Sequence, residues 1–287
     1  MSRTRYRLLL LTAAFLFSTG GAAIKACALT SWQIACFRSG IAAFSVAVML
    51  PEARRIRRPR IFAVGLAYAA TLVLFVLATK LTTSAQAIFL QSTAPLYLLF
   101  LAPLVLQERL ERSQLVMVAV VAAGAVLLLF GQQSMAATAP DPVRGNWFGL
   151  LSGVSWALTM TGFRWLGKYG GEHESPATVV VAGNLIAFAL CLPMALPVLH
   201  VAPADVGVIL YLGVVQIGLA YWALTHSIRH VAAVEATTLL LLEPVLNPVW
   251  TWLLQGERLS ATTLCGGALI LTAISGSTVY QGRRSSK

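Results

Sequence analysis

SAQAIFLQSTAPLYLLFLAPLVLQERL, residues 84–110, is repeated later in the chain as AVEATTLLLLEPVLNPVWTWLLQGERL, residues 233–259. With the two stretches in register, Pro95 falls on Pro244, and Glu108-Arg109-Leu110 falls on Glu257-Arg258-Leu259. Each copy is a long apolar run with a proline near its middle and this charged turn at its end. Such a repeat indicates that one structural unit occurs twice, and its apolar character predicts that the unit spans a membrane.

The composition supports a membrane protein. Of the 287 residues, 58% are hydrophobic and only 11% are charged. No hydrophilic stretch is long enough to form a soluble domain, and long apolar runs indicate transmembrane helices. The net charge of +11 lies in short clusters between the apolar runs. We therefore interpret it as a signal of membrane topology and predict that the chain does not bind nucleic acid.

Ten apolar windows are long enough to cross a bilayer, which takes about 20 residues. They lie near 8–28, 32–51, 61–80, 84–106, 113–131, 146–167, 176–197, 205–227, 232–254 and 261–280. We predict an all-α integral membrane protein in which residues 1–132 form a first five-helix repeat. Residues 133–145 would be a periplasmic linker, and residues 146–287 a second repeat. The N-terminal basic and apolar segment imitates a signal peptide, but its counterpart at the start of the second repeat predicts that it is retained.

The distribution of Lys and Arg predicts that both termini are cytoplasmic. With this orientation, the inner side receives the basic clusters at 3–7, 54–60 and 283–287. The outer side receives only Lys80, Arg144 and Arg258, and such an imbalance in short loops is a reliable topology signal. Because each half has an odd number of helices, the second half is predicted to be inverted. Inverted repeats are typical of secondary transporters, which alternate access to a site near the membrane midplane.

Taken together, the ten spans, the duplication and the proline followed by Glu-Arg-Leu in each fourth helix resemble the drug/metabolite transporter superfamily, and in particular its EamA-type members. The resemblance extends from Leu8 to Tyr280. As a whole, the sequence also resembles the YddG-type branch, the aromatic amino-acid exporters. This resemblance implies export of amino acids across the inner membrane of a bacterium. It also implies a central cavity lined by the first, third, fourth, sixth, eighth and ninth helices.

Glu243 is the main candidate for a functional group inside a span. An ionised carboxylate at that depth costs about 3 kcal/mol or more, so it must face the cavity, find a partner or be protonated. Pro244 follows it, as Pro95 follows Ala94 in the first copy, and a proline leaves a backbone carbonyl one turn earlier without its usual donor. Glu243 could bind the ammonium of an amino acid or carry a proton. The alternative is a protonated carboxyl that joins two helices.

Two basic residues lie in the outer parts of the first two helices. Arg38, in the second helix, could bind a carboxylate, or its long side chain could snorkel to the interface. For Lys25, near the outer end of the first helix, we favour snorkelling.

The two Glu-Arg-Leu turns, which contain Glu108 and Glu257, precede the hydroxyl residues Ser113 and Ser260. A hydroxyl at this position can cap the next helix. We favour a structural cap at the membrane surface for both turns. A shared gating role on opposite faces is the alternative.

Deep aromatic and amide side chains are further candidates for the cavity wall. Aromatic rings accept apolar and aromatic solutes, and they can hold an ammonium by cation–π contact. Amides could receive a carboxylate or an amine. Asn247 lies four residues after Glu243, and Gln91 lies four before Pro95. For each residue singly, core packing or an inter-helix hydrogen bond is the alternative. The predicted cavity residues besides Glu243 are Asn247, Gln91, Trp156, Tyr68, Phe75, Tyr97, Tyr221 and Trp222.

These features predict a secondary exporter of aromatic and other apolar or neutral amino acids, with a broader metabolite or drug exporter as the alternative. The spans contain no paired acids, metal-binding His cluster, phosphate-binding loop or nucleophile elbow. We therefore predict that the chain is not an enzyme and binds no metal or cofactor. Its expected partners are the amino acid and the lipid bilayer, and a ten-helix repeat pair could work as a monomer. Uniport and proton antiport both remain open at this point.

Overall fold

The computed structural model describes residues 3–56, 58–107, 112–130, 137–169, 175–228, 230–231 and 233–285. The described residues are predominantly helical, so the predicted all-α class is confirmed. The first copy of the Glu-Arg-Leu turn, at Glu108-Arg109-Leu110, lies outside them, as do residues 133–136 of the predicted linker. Helix α8 begins at Pro142, so the second half becomes helical inside the segment predicted as linker.

The helices of the first half are α1 Arg3–Ser18, α2 Gly20–Ala26, α3 Ser31–Met49, α4 Pro59–Leu81, α5 Ser84–Gln91, α6 Ala94–Leu101 and α7 Arg112–Phe130. Those of the second half are α8 Pro142–Tyr169, α9 Pro176–Ala195, α10 Pro203–Leu210, α11 Ala220–Ile228, α12 Ala233–Leu240, α13 Leu242–Gln255 and α14 Ala261–Ser285. A π-helical segment, Ala102–Leu106, extends α6, and another, Tyr211–Leu219, joins α10 to α11.

Within the described ranges, six helical segments are long and apolar enough to cross a membrane. They are Thr4–Ala26, Ser31–Met49, Pro59–Leu81, Ser84–Leu106, Pro176–Ala195 and Pro203–Ile228. Two shorter apolar helices are Gln114–Phe130 and Ala261–Ser277. The predicted windows 146–167 and 232–254 do not qualify in the same way. The first of these windows, inside α8, contains Asn146 and several Gly, Ser and Thr residues that lower its hydropathy, and the second is divided between α12 and α13. The count of ten spans stays a prediction.

The helices run between two ends of the bundle, which we name the Lys25 face and the Lys168 face. At the Lys25 face, Lys80 Nζ donates to the Cys27 carbonyl over 2.8 Å. At the Lys168 face, an Arg60 guanidinium nitrogen donates to the Tyr169 carbonyl over 3.1 Å. Helix α1 leads to the Lys25 face, whereas α8 starts there and ends at the Lys168 face. The first helices of the two halves therefore run in opposite directions.

Equivalent helices of the two halves make equivalent contacts, so the pattern of helix contacts stays the same when the two halves are exchanged. Helix α4 packs on α8, and the corresponding pair is α11 on α1. Helix α5 also packs on α8, and the corresponding pair is α12 on α1. In two further pairs, α3 with α9 and α7 with α14, the partners are equivalent helices of the two halves, so exchange of the halves leaves each pair unchanged. The central contacts of the bundle are thus contacts between the halves.

Both copies of the repeat break at the same place. Helix α5 ends at Gln91 and α12 ends at Leu240, which are equivalent residues of the two copies. The next helices, α6 and α13, contain Pro95 and Pro244 in their first turns. A proline cannot donate to the preceding turn and disfavours helical geometry in the residue before it. The sequence repeat is therefore also a repeat of local structure.

The copies also end alike. Gln107 and Gly256 occupy equivalent positions, and both have left-handed backbone, with φ of 56° and 65°. Only glycine adopts this conformation without steric cost. The turn after α13 is therefore relaxed, whereas the turn after the α6 extension carries a residue that is strained there.

We expect Gly256→Ala to destabilise the protein by about 1 kcal/mol and Gln107→Gly to stabilise it by a similar amount. No atom lies within 4 Å of a Cβ built on Gly256, so the effect of the alanine would come from backbone conformation alone. Thermal unfolding in detergent would measure both variants. A lower melting temperature for Gln107→Gly would contradict this account.

Helix α8 passes over the break in the first copy at Gly153. A Cβ there would lie 2.8 Å from the Leu90 carbonyl oxygen and 2.9 Å from Thr93 Oγ1. We expect Gly153→Ala to lower stability by about 1–3 kcal/mol because backbone would have to move. Gly167→Ala in the same helix is the matched control, since nothing lies within 4 Å of its Cβ. Equal melting temperatures for the two variants would rule out this close approach.

Candidate substrate site

Glu243 lies in the first turn of α13, directly after the break that precedes Pro244. Glu243 is only partly buried, and the described part of the chain offers its carboxyl no hydrogen bond or ion pair. It lies close enough to Tyr68 and Tyr221 to interact electrostatically with both. The structure thus brings together three of the predicted cavity residues, from α4, α11 and α13.

The two tyrosines form the aromatic wall beside Glu243. Their ring centroids lie 6.1 Å apart with the planes at 89°, and Phe17 meets Tyr221 edge-on at 5.2 Å. The Tyr68 hydroxyl lies near the side chains of Tyr221 and Asn184. Trp156 and Trp222 pack against the same core cluster as the tyrosines. Four of the six predicted aromatic residues therefore lie around one part of the core.

Phe75 and Tyr97 lie elsewhere. Phe75 packs against two other clusters, one around Ile34 and one around Phe89. Tyr97, on α6, is half-buried, and its hydroxyl is near Thr93. The structure does not bring these two residues to the Tyr68 group, because Phe75 lies two turns along α4 from Tyr68 and Tyr97 is on α6.

Arg38 is inside the bundle. The residue is 2% exposed, so the snorkelling alternative is wrong for it. One guanidinium nitrogen, Nη2, donates to the Leu72 carbonyl over 3.1 Å, while Nε is buried without a partner. Its charge interacts electrostatically with Tyr68. Tyr68 therefore lies within electrostatic range of both a buried cation and Glu243.

The two predicted amides join helices. Gln91 Nε2 donates to Ser152 Oγ over 2.8 Å, and Ser152 Oγ donates to the Thr71 carbonyl over 3.2 Å. Asn247 Oδ1 accepts from Ser84 Oγ over 2.5 Å, while its Nδ2 is buried without a partner. Asn247 is thus engaged with α5 toward the Lys25 face, although it is on the same helix as Glu243.

Lys25 and Glu257 correct two expectations. Their side chains are 4% and 0% exposed and form an ion pair with an N–O distance of 3.1 Å. Lys25 does not snorkel, and Glu257 is buried and not at the membrane surface. The left-handed turn at Gly256 directs the chain back into the bundle, where Glu257 accepts from the Ser84 backbone N–H over 3.0 Å. In the sequence, only the repeated Glu-Arg-Leu turn had pointed to a special role for Glu257.

The capping role predicted for Ser260 is confirmed, because its Oγ accepts from the Thr263 N–H over 3.1 Å near the start of α14. The side chain of Ser113 lies outside the described part of the structure. Among the described residues, no group of three or more His, Cys, Asp or Glu side chains is placed to hold a metal.

The EamA-like transporter family matches two segments of the chain, residues 4–130 and 143–279. An uncharacterized transporter from Archaeoglobus fulgidus is 28% identical over 207 residues, which cover 71% of this chain and 70% of that protein. A protein of known crystal structure has a similar fold, with a TM-score of 0.64 and 20% sequence identity over 100% of both chains. The family's members are transporters, which agrees with the prediction that the chain is not an enzyme. Because the two matched segments include both proline-broken helices and the residues around Glu243, the chain belongs to the EamA-like transporter family.

Proposed function

We propose that this chain exports aromatic and other apolar or neutral amino acids from the cytoplasm across a bacterial inner membrane. One observation carries the proposal. Glu243 is partly accessible at a helix break, has no ion-pair partner in the described residues and stands beside Tyr68 and Tyr221. A carboxylate with aromatic neighbours suits a primary ammonium, which it attracts by charge while the rings add cation–π contact.

The rest of an amino acid would find matching chemistry nearby. Its side chain would lie among the rings that surround Tyr221, where an apolar surface accepts different solutes without strict hydrogen bonding. Its carboxylate would turn toward Arg38, whose Nε has no partner. A zwitterion bound this way would bring a negative charge to the buried guanidinium and a positive charge to Glu243. A solute with only one of these groups would leave one buried charge uncompensated.

The transport mechanism in this proposal is alternating access by ten spans arranged as two inverted repeats. Three observations support it: the packing scheme that survives exchange of the halves, the two family matches and the equivalent breaks before Pro95 and Pro244. In such proteins one repeat moves against the other around a central site. With the N- and C-termini in the cytoplasm, the Lys25 face is the outer face.

Counterflow in proteoliposomes of the pure protein tests the substrate. We expect labelled phenylalanine to accumulate against unlabelled phenylalanine and other neutral amino acids with apolar side chains. Phenethylamine and 3-phenylpropionate, which lack the carboxylate and the ammonium respectively, should compete at least about tenfold less well, because each loses one charged contact. Counterflow of other metabolites or drugs without any amino acid would refute the proposal and favour the broader exporter.

Glu243→Gln tests the site itself. We expect phenylalanine counterflow to fall by about tenfold or more, because a hydrogen bond to a charged group contributes about 1.5–3 kcal/mol. Glu235→Gln is the matched control, since Glu235 is an acid on the other part of the same broken helix and pairs with Arg7 at the Lys168 face. Equal loss in both variants would argue against a specific role for Glu243.

Running both proteins with and without a pH gradient separates binding from proton coupling. If Glu243 carries the proton, the gradient should drive the wild type and have no effect on Glu243→Gln. A wild type that ignores the gradient would restrict Glu243 to binding.

A further inference from the structure

We infer that the ion pair between Lys25 and Glu257 is the gate at the Lys25 face: it is intact while that face is closed and must break when the transporter opens on that side. The inference rests on the proposed alternating access, but not on the identity of the substrate. It concerns residues that neither the Glu243 site nor the tyrosine wall includes.

The pair joins parts of the chain that belong to different halves. Lys25 is in the last turn of α2 in the first half, and Glu257 follows α13 in the second. Lys25 Nζ also donates to the Thr82 carbonyl over 2.7 Å and to the Thr138 carbonyl. The second carboxylate oxygen of Glu257 accepts from the backbone N–H of Ser84, the first residue of α5. Two side chains thus connect α2, α5 and α13 at one end of the bundle.

The helices below the pair are packed too closely to leave a passage. A Cβ on Gly21 would lie 1.9 Å from Ser84 Oγ and 2.6 Å from Asn247 Oδ1. Ser84 and Asn247 are themselves bonded to each other and are 0% and 1% exposed. The Lys25 face is therefore sealed for at least one helical turn beneath the ion pair.

At the opposite face, Lys168 makes a corresponding contact that is more exposed to solvent. Lys168 is in the last turn of α8, as Lys25 is in the last turn of α2. Its Nζ donates to the carbonyl of Leu106, at the end of the broken helix of the other half, over 3.0 Å. However, Lys168 and its neighbour Tyr169 are both exposed. The lysines in corresponding last turns of the two halves thus differ: Lys25 is enclosed at one face, and Lys168 is exposed at the other.

A buried ion pair has suitable energetics for a gate. Desolvation of the two charges offsets most of their attraction, so the closed state gains little net free energy from the intact pair. When the face opens, water solvates both charges again, and differential binding of substrate is sufficient to move such an equilibrium. In contrast, removal of one partner leaves an uncompensated buried charge, which strongly disfavours the closed state.

A reporter cysteine measures the opening directly. Ser84→Cys places a thiol of nearly the same size beneath the pair and leaves the backbone N–H that binds Glu257 unchanged. The native cysteines are replaced by alanine: Cys27, Cys36, Cys191 and Cys265. Intact cells are treated with a membrane-impermeant maleimide. The labelling rate is scaled to that of Arg144→Cys, whose parent residue has a side chain 73% exposed on the same face.

We expect Lys25→Met and Glu257→Gln each to raise labelling of the reporter at least about tenfold, because an unpaired buried charge shifts the population toward the open face. The double variant should lie between these and the wild type, since it removes both charges. Arg144→Met, which breaks the exposed Arg144–Asp141 pair, should change nothing. Unchanged labelling in both single variants would overturn the inference.

A single variant that fails to give a monodisperse peak in detergent does not end the test. Glu257→Asp then decides, because its carboxylate is one methylene shorter and is drawn away from Lys25 while it keeps its charge. Reporter labelling equal to that of the wild type in this variant would refute the gate. Because labelling needs no substrate, it is independent of the amino-acid proposal. A wild type that carries no amino acid but shows these labelling rates would refute the substrate and leave the gate supported.

Discussion

A proline inside an apolar helix is the constraint on which the rest of this structure depends. Its nitrogen has no hydrogen to donate, and the membrane interior has no water to satisfy the carbonyl that is left free. The chain places such a proline at equivalent positions of two helices, and both helices break there. Polar backbone is tolerated at that depth only where protein or a cavity surrounds it. The carbonyl that Pro95 leaves without its usual donor is that of Gln91, and at this break α8 provides cover because Gly153 passes close to the Leu90 and Gln91 carbonyls.

The second broken helix also shows how environment assigns different roles to the same residue type. Glu243 stands at the break, partly accessible and beside two tyrosines, and the described residues give it no ion-pair partner. Glu257, just after the end of the helix, is fully enclosed with Lys25 and the start of α5. An acid that must exchange a ligand or a proton has to be accessible to it, and its carboxyl must not be engaged by a permanent hydrogen-bond or ion-pair partner. An acid that holds helices together needs a partner and exclusion of water, because an exposed pair contributes little.

The repetition of the helix contacts in the two halves connects these observations. Contacts between helices appear twice, once in each arrangement, yet the two faces differ in how tightly their lysines are enclosed. In the proposed alternating-access mechanism, the enclosed lysine marks the closed face. The proposed site between Tyr68, Tyr221 and Glu243 lies between the faces.

The sequence by itself determined the membrane-embedded helical class, the duplication and the positions of both helix breaks. These properties depend on apolar length and on the covalent chemistry of proline, which act locally. It also predicted Glu243 and most of the aromatic residues around it as candidates for the site, since a charge or a ring at mid-span is informative without knowledge of its neighbours. Only the tertiary structure decided that Lys25 and Glu257 meet, that Asn247 faces Ser84 and that Phe75 and Tyr97 lie apart from Tyr68. Pairing across the bundle depends on how helices from both halves rotate and approach one another, and residues as far apart in the sequence as Lys25 and Glu257 carry no local signal of it.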